Sequence, residues 1–152
     1  MSTQAMILVA EDDDGHFALI ERNLLRGGIT EPIMRFRDGQ EVLDFLENGK
    51  SCESENVHRP LLILLDIRMP KMDGITVLEK IKSHPILKRI PIFMLTTTDD
   101  PSEINHCYQV GCNCYIVKPS NYEKFMQTME RLGAFLTTPG LTIPEIAPKK
   151  FN

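Results

Sequence analysis

No stretch of the chain carries the roughly 18 consecutive apolar residues that a membrane span requires. The first residues, Met1-Ser2-Thr3-Gln4-Ala5, have neither the basic region nor the long apolar core of a secretory signal. The expected location is therefore cytoplasmic. Basic runs are also missing beyond Lys88-Arg89 and Lys149-Lys150, and the formal net charge is -4. Nothing electrostatic favours a polyanion, so direct nucleic-acid binding is not expected. The four cysteines, Cys52, Cys107, Cys112 and Cys114, contain no C-x-x-C pair. Three of them lie close together, but Cys114 falls inside a predicted strand, and the set is read as reduced thiols rather than a metal site. No internal repeat and no second domain is evident. The 152 residues, 42% hydrophobic and 25% charged, suit one ordinary globular domain that buries about two-thirds of its unfolded surface.

What is present is organised around residues 61–74. Leu61-Leu62-Ile63-Leu64-Leu65 is apolar without alternation, as a central parallel strand covered on both faces would be. It ends at Asp66. Pro70 and Gly74 then turn the chain toward a helix. Taken alone, Asp66 reads equally as a helix cap, a loop acid or a functional carboxylate; its place at the carboxyl end of a strand is where ligands sit in open α/β sheets.

The remaining pattern repeats that unit. Met6-Ile7-Leu8-Val9-Ala10 is a buried strand ending in Glu11-Asp12-Asp13-Asp14-Gly15, and Phe17, Leu19, Ile20, Leu24 and Leu25 follow at helical spacing up to Gly27-Gly28. Ile33 to Phe36 is a weaker strand, with Val42, Leu43, Phe45 and Leu46 on the next helix, closed by Gly49. Residues 50–59 are polar and read as a surface loop. Ile75, Val77, Leu78 and Ile81 mark a helix closed by His84-Pro85, and a fourth strand spans Ile90 to Leu95 and terminates in Thr96-Thr97-Thr98. Asp100-Pro101-Ser102-Glu103 predicts a helix start with Asp100 as N-cap and Glu103 completing a capping box. Cys114 to Val117 is the fifth strand and stops at Lys118-Pro119. Tyr122, Phe125, Met126, Met129, Leu132 and Phe135 make a last amphipathic helix before an extended tail from Thr137. Strict strand–helix alternation specifies an α/β fold with a parallel sheet.

Four of the five strands thus end in polar groups: Glu11-Asp12, Asp66, Thr96 and Lys118. A parallel sheet gathers them on one edge. Carboxylates brought that close repel one another unless a hard divalent cation neutralises them, and Mg²⁺ suits oxygen ligands. With a cation, a lysine and a hydroxyl nearby, a transferring phosphoryl group is stabilised, and a carboxylate can be the nucleophile that receives it.

On these residues the chain resembles the receiver domain of two-component response regulators, over residues 5 to about 136. Glu11-Asp12 is similar to the family's acidic pair, 66–74 to its D-x-x-M-P-x-x-D-G segment, Thr96 to its hydroxyl, Lys118-Pro119 to its K-P pair, and Tyr115 to its switch aromatic. Leu87-Lys88-Arg89-Ile90-Pro91, Leu95-Thr96-Thr97 and Asn113-Cys114-Tyr115 resemble the single-domain regulators associated with phytochrome kinases. The resemblance implies a flavodoxin-like (βα)5 sheet of order 2-1-3-4-5, with a receiver at 5–136 and a C-terminal extension at 137–152. It also implies Asp66 as phosphoacceptor with Thr96 and Lys118 assisting. Mg²⁺ would be held by Asp12, Asp66 and the Arg68 backbone carbonyl, and by Glu11 through water. A cis peptide at Lys118-Pro119 and a switch made of Thr96 and Tyr115 complete the implied set.

The implied role is to accept a phosphoryl group from a sensor histidine kinase or phosphotransfer protein and to signal by protein contact. Such a protein promotes its own phosphotransfer and dephosphorylation rather than turning over a substrate. A homodimer through the 101–136 face is expected with it. The alternative is a receiver-like scaffold that is never phosphorylated, which the intact Asp12, Asp66, Thr96 and Lys118 argue against. Asp12, Asp14, Gly15 and Glu21 match the register of a calcium-binding EF-hand loop, but its first ligand position is Ala10. An aspartate-nucleophile phosphatase needs an acid two residues after Asp66, where Arg68 stands, and a flavodoxin needs a Ser/Thr/Gly-rich loop where the acids are. His16, His58, His84 and His106 fit no ligand spacing and read as surface or helix-end residues. Leu141, Ile143 and Ile146 leave the tail either extending the output contact or disordered.

Overall fold

The computed structural model describes residues 6–47 and 60–146. Cys52, His58, Gly49, the polar segment 50–59 and the last residues of the tail lie outside them. Five strands, β1 (Met6–Ala10), β2 (Ile33–Phe36), β3 (Leu61–Leu65), β4 (Ile92–Thr96) and β5 (Cys114–Val117), form one parallel sheet in the order 2-1-3-4-5. The helices are α1 (Asp14–Arg26), α2 (Gly39–Glu47), α3 (Gly74–Lys82), α4 (Pro101–Val110) and α5 (Tyr122–Leu136). The order and the flavodoxin-like class are those the resemblance implied.

Every residue of β1 and β3 is buried, as non-alternating apolar strands between two helical layers must be. Alternate side chains serve opposite layers. Leu8, Ile63 and Met94 pack with Val42 and Leu46 of α2, Val77 and Leu78 of α3, and Cys107 of α4. Ile7, Val9, Leu62 and Leu64 pack with Ile20 and Leu24 of α1 and Phe125 and Met129 of α5.

Helix starts depart once from expectation. Asp13, Asp73 and Asn121 cap α1, α3 and α5 by accepting backbone N–H bonds of 2.9 to 3.0 Å from His16, Thr76 and Lys124. Asp100 does not cap α4 in that way: its carboxylate accepts from the Ser102 hydroxyl at 2.9 Å instead. Glu103 completes no capping box, and its Oε1 is buried with no hydrogen-bond partner. A serine two residues along competes for the cap oxygen, as short polar side chains do. The Lys118-Pro119 peptide is trans, not cis, since the described residues contain no cis bond.

The tail is extended but turned inward. Glu145 forms an antiparallel bridge with Pro60, Ile146 is 2% exposed within the same core as Met6 and Leu61, and Ile143 packs on the opposite cluster. Its apolar residues cover the amino-terminal end of the sheet, away from the edge where the acids gather. Pro60 in turn accepts the Met6 N–H at 2.9 Å, tying the tail's bridge to the first strand.

Helices α1 and α5 approach so closely that glycine is required at the crossing. A Cβ on Gly133 would lie 2.6 Å from the Leu24 carbonyl oxygen, and one on Gly27 2.3 Å from the Glu130 carbonyl oxygen. Propensity alone makes Gly→Ala within a helix stabilising by about 1 kcal/mol. Gly133→Ala is expected to destabilise the domain by about 1–3 kcal/mol, the cost of overpacking, as read by urea unfolding. A stabilised variant would show that the helices separate freely.

Candidate functional site

The acids, Thr96 and Lys118 stand at strand ends, Tyr115 lies within β5 and Arg68 three residues beyond β3. Glu11 and Asp12 follow β1, Asp66 follows β3, Thr96 ends β4 and Lys118 follows β5. The Asp66 N–H donates to the Ala10 carbonyl at 3.1 Å and the Lys118 N–H to the Thr96 carbonyl at 2.7 Å, so the ladder continues through the functional positions. Gly74 lets α3 begin against this point, because a Cβ there would meet the Asp66 carbonyl oxygen at 1.9 Å.

The acids converge. One carboxylate oxygen from each of Glu11, Asp12 and Asp66 lies within 4.8 Å of the others. Glu11 and Asp66 are buried and Asp12 is exposed. Lys118, 5% exposed, reaches in from the other side. Its Nζ donates to Glu11 Oε1 at 2.6 Å and to Asp66 Oδ2 at 3.2 Å. The other Asp66 oxygen accepts from the Ile67 N–H at 2.7 Å, and Glu11 Oε2 accepts from the Asp13 N–H at 3.2 Å. Three carboxylates against one ammonium leave a deficit of positive charge and an all-oxygen donor set. That combination fits a hard divalent cation. Arg68 lines a cavity of about 400 Å3 together with Asp12, Ile67, Met69, Asp73 and Glu103.

Burial pushes the Glu11 carboxyl up to about 7, against the lowering effect of Lys118 and with the help of the Asp66 charge. Desolvation outweighs the attraction of the ammonium group. At the outer end of the loop Asp13 is held below the usual carboxylate range, chiefly by the His16 N–H it accepts.

Thr96 is fully buried and its Oγ1 accepts from the Thr98 N–H at 3.4 Å, a long contact. Tyr115 points to the same loop, donating its hydroxyl to the Thr98 carbonyl at 2.8 Å, while its N–H donates to the Tyr108 hydroxyl at 3.0 Å. Burial pushes the Tyr115 phenol up to about 12, so it stays a donor.

Sequence reasoning missed two participants. His16, set aside as a helix-end residue, has its Nδ1 3.0 Å from Lys118 Nζ. Arg35 of β2 donates from Nε to the Glu11 carbonyl at 3.0 Å, bonds Asp14 at 2.7 Å and stacks over Phe17, which ties the acidic loop to the sheet edge. An arginine in an otherwise apolar strand was the available signal for Arg35; no sequence signal marks His16. His84 caps a short turn through two N–H groups and His106 pairs with Glu79 at 3.1 Å, both away from the acids.

Residues 7–130 match the family profile described as response regulator receiver domain. The chain is 35% identical over 130 residues to the response regulator Rcp1 of Synechocystis sp., covering 86% of this chain and 87% of that protein. A response regulator receiver domain from Rhodospirillum rubrum superposes with a TM-score of 0.85 at 40% identity, covering 93% of this chain and 99% of the other. The phosphorylated cyanobacterial phytochrome response regulator RcpA superposes with a TM-score of 0.80 at 34% identity, covering 94% and 99%. Rcp1 has also been solved in a Mn²⁺-bound form.

The raised Glu11 carboxyl has a sign that can be checked. A group protonated more tightly in the folded state contributes stability that is full below its unfolded value, 4.5, and lost as pH rises through about 7. With divalent cations chelated, Glu11→Gln is expected to remove that decline, so that the variant gains on the wild type by up to about 3 kcal/mol between pH 4.5 and 8. Guanidinium unfolding across the range reads it. Parallel profiles would mean that Glu11 stays ionised throughout.

Proposed function

The chain belongs to the response regulator receiver family of two-component signalling, and from that we propose that it accepts a phosphoryl group on Asp66 from a phosphohistidine on a sensor kinase or phosphotransfer protein. The convergence of Asp12, Asp66 and Lys118 carries the reading. An oxygen of Asp66 forms a bond to phosphorus while the P–N bond of the donor breaks, its electron pair returning to the imidazole. An acyl phosphate results. Asp12, Asp66 and the Arg68 carbonyl would hold Mg²⁺, with Glu11 acting through a bound water; the cation supplies charge neutralisation to the equatorial oxygens.

Lys118 supplies the second share of positive charge. In the resting arrangement it is committed to Glu11 and Asp66; during transfer the bond to Asp66 Oδ2 is redirected to a phosphoryl oxygen. Thr96 offers its hydroxyl to another. The long contact from Thr98 to that hydroxyl is weak enough to give up.

Output runs through Tyr115. Movement of Thr96 toward the phosphoryl group carries the 96–98 segment with it, and the Tyr115 hydroxyl is bonded to that segment through Thr98. Moving from 1% to 99% active takes about 5.5 kcal/mol, which three charge-assisted bonds at about 2 kcal/mol each reach and the single Tyr115 bond at about 1 kcal/mol does not. The face reporting the change comprises α4, β5 and α5, where Tyr108, Val117 and Tyr122 are exposed. A homodimer through that face is the partner we assign to it, beside the kinase.

Two outcomes are expected. Incubation with acetyl phosphate and Mg²⁺ adds one phosphoryl group, read by intact mass spectrometry, and Asp66→Asn abolishes it; equal modification of the Asn variant contradicts the assignment. Light scattering shows the dimer strengthened by beryllofluoride, and a monomer under every condition at high concentration removes the dimer.

A further inference from the structure

A lysine ammonium carries three N–H donors and no acceptor. The two that Lys118 spends on Glu11 Oε1 and Asp66 Oδ2 leave one, and His16 Nδ1 takes it at 3.0 Å. Because the ammonium can only donate, Nδ1 must be the unprotonated ring nitrogen and Nε2 must bear the proton. The 3.8 Å separation of Nδ1 from Glu11 Oε2 is then no bond at all.

The residue is held once at its backbone and once at its ring. The His16 N–H is fixed by the Asp13 cap at 2.9 Å, and the imidazole stands edge-on to Phe125 of α5, 5.8 Å between centroids at 88°. Its side chain is 30% exposed, at the mouth of the site, whereas that of Lys118 is 2% exposed. No other acceptor is within reach of the third proton among the described residues.

We propose that His16 is a positioning residue for Lys118 in phosphoryl transfer, accepting the third ammonium proton so that the lysine stays aimed across Asp66. The proposal rests on the reading of Asp66 as phosphoacceptor. When the phosphoryl group arrives, the bond to Asp66 Oδ2 is the one redirected. The bond to His16 is kept. Without it, Lys118 has only its 2.6 Å bond to Glu11 to orient it, and that bond draws it toward the acidic pair and away from the incoming phosphoryl oxygens.

Asn and Leu separate this role from packing. Asn places an acceptor oxygen near the position of Nδ1, whereas Leu keeps the apolar contact with Phe125 and offers no acceptor. Phosphorylation by acetyl phosphate at saturating Mg²⁺, followed by intact mass, is expected to slow about tenfold in His16→Leu, the ratio that ~1.4 kcal/mol produces, and to stay within about twofold in His16→Asn. In a Lys118→Met background, His16→Leu is expected to cause no further slowing. A Leu variant modified at the wild-type rate, Asn and Leu variants equally slow, or a further loss in the Lys118→Met background would each overturn the proposal. Failure of the wild type itself to be modified would instead refute the phosphoacceptor reading, so the two failures are distinguishable.

Discussion

A single buried ammonium holds the site in its resting form. Lys118 sits between Glu11 and Asp66 with nearly all of its side chain withdrawn from water. Taking an ion pair out of water costs several kcal/mol per charge, and the attraction repays this only with good geometry and further hydrogen bonds. Both conditions are met on the acid side, where backbone N–H groups of Asp13 and Ile67 hold the second oxygens of Glu11 and Asp66. Even so the balance is incomplete, because burial still pushes the Glu11 carboxyl up to about 7. The site therefore stores an electrostatic deficit that added positive charge relieves, and the charge of an entering phosphoryl group offsets part of that of a divalent cation.

The fold serves this by bringing strand ends together without room to drift. β1 and β3 pair residue for residue from Met6 with Leu61 to Ala10 with Leu65, so Glu11 and Asp66 start from a fixed register. Two rigid layers cover the sheet, and glycines at 27, 74 and 133 permit the approaches that a side chain would block. The tail closes the far end through Ile146.

Much of this was legible from residue order. The apolar runs located β1 and β3 to the residue, because buried parallel strands lack alternation and end abruptly at polar groups; the half-buried β2 and β5 were located as well, from shorter runs bounded by polar residues. β4 begins two residues later than its apolar run, since Ile90 and Pro91 are spent closing the turn before it: Ile90 N–H bonds the Leu87 carbonyl and Pro91 offers its carbonyl to Ile63. The α4 cap was misread because Ser102 and Glu103 are both suitable partners for Asp100 in sequence and only geometry decides between them. His16 was invisible for a similar reason: its contact with Lys118 spans most of the chain, and a histidine two residues into a helix looks the same whether it faces solvent or a lysine. The inward turn of Ile143 and Ile146 depends on what the base of the sheet leaves uncovered, which no local pattern encodes.

The exchange of Lys118 from a carboxylate to a phosphoryl oxygen is the central step of the proposed transfer. A crystal structure with Mg²⁺ and beryllofluoride observes it directly. The expected structure has the fluoride complex on Asp66, with Lys118 Nζ within hydrogen-bond distance of a fluorine and no longer bonded to Asp66 Oδ2, and Thr96 turned to another fluorine. A complex on Asp66 in which Lys118 keeps its resting contacts and touches no fluorine would contradict it.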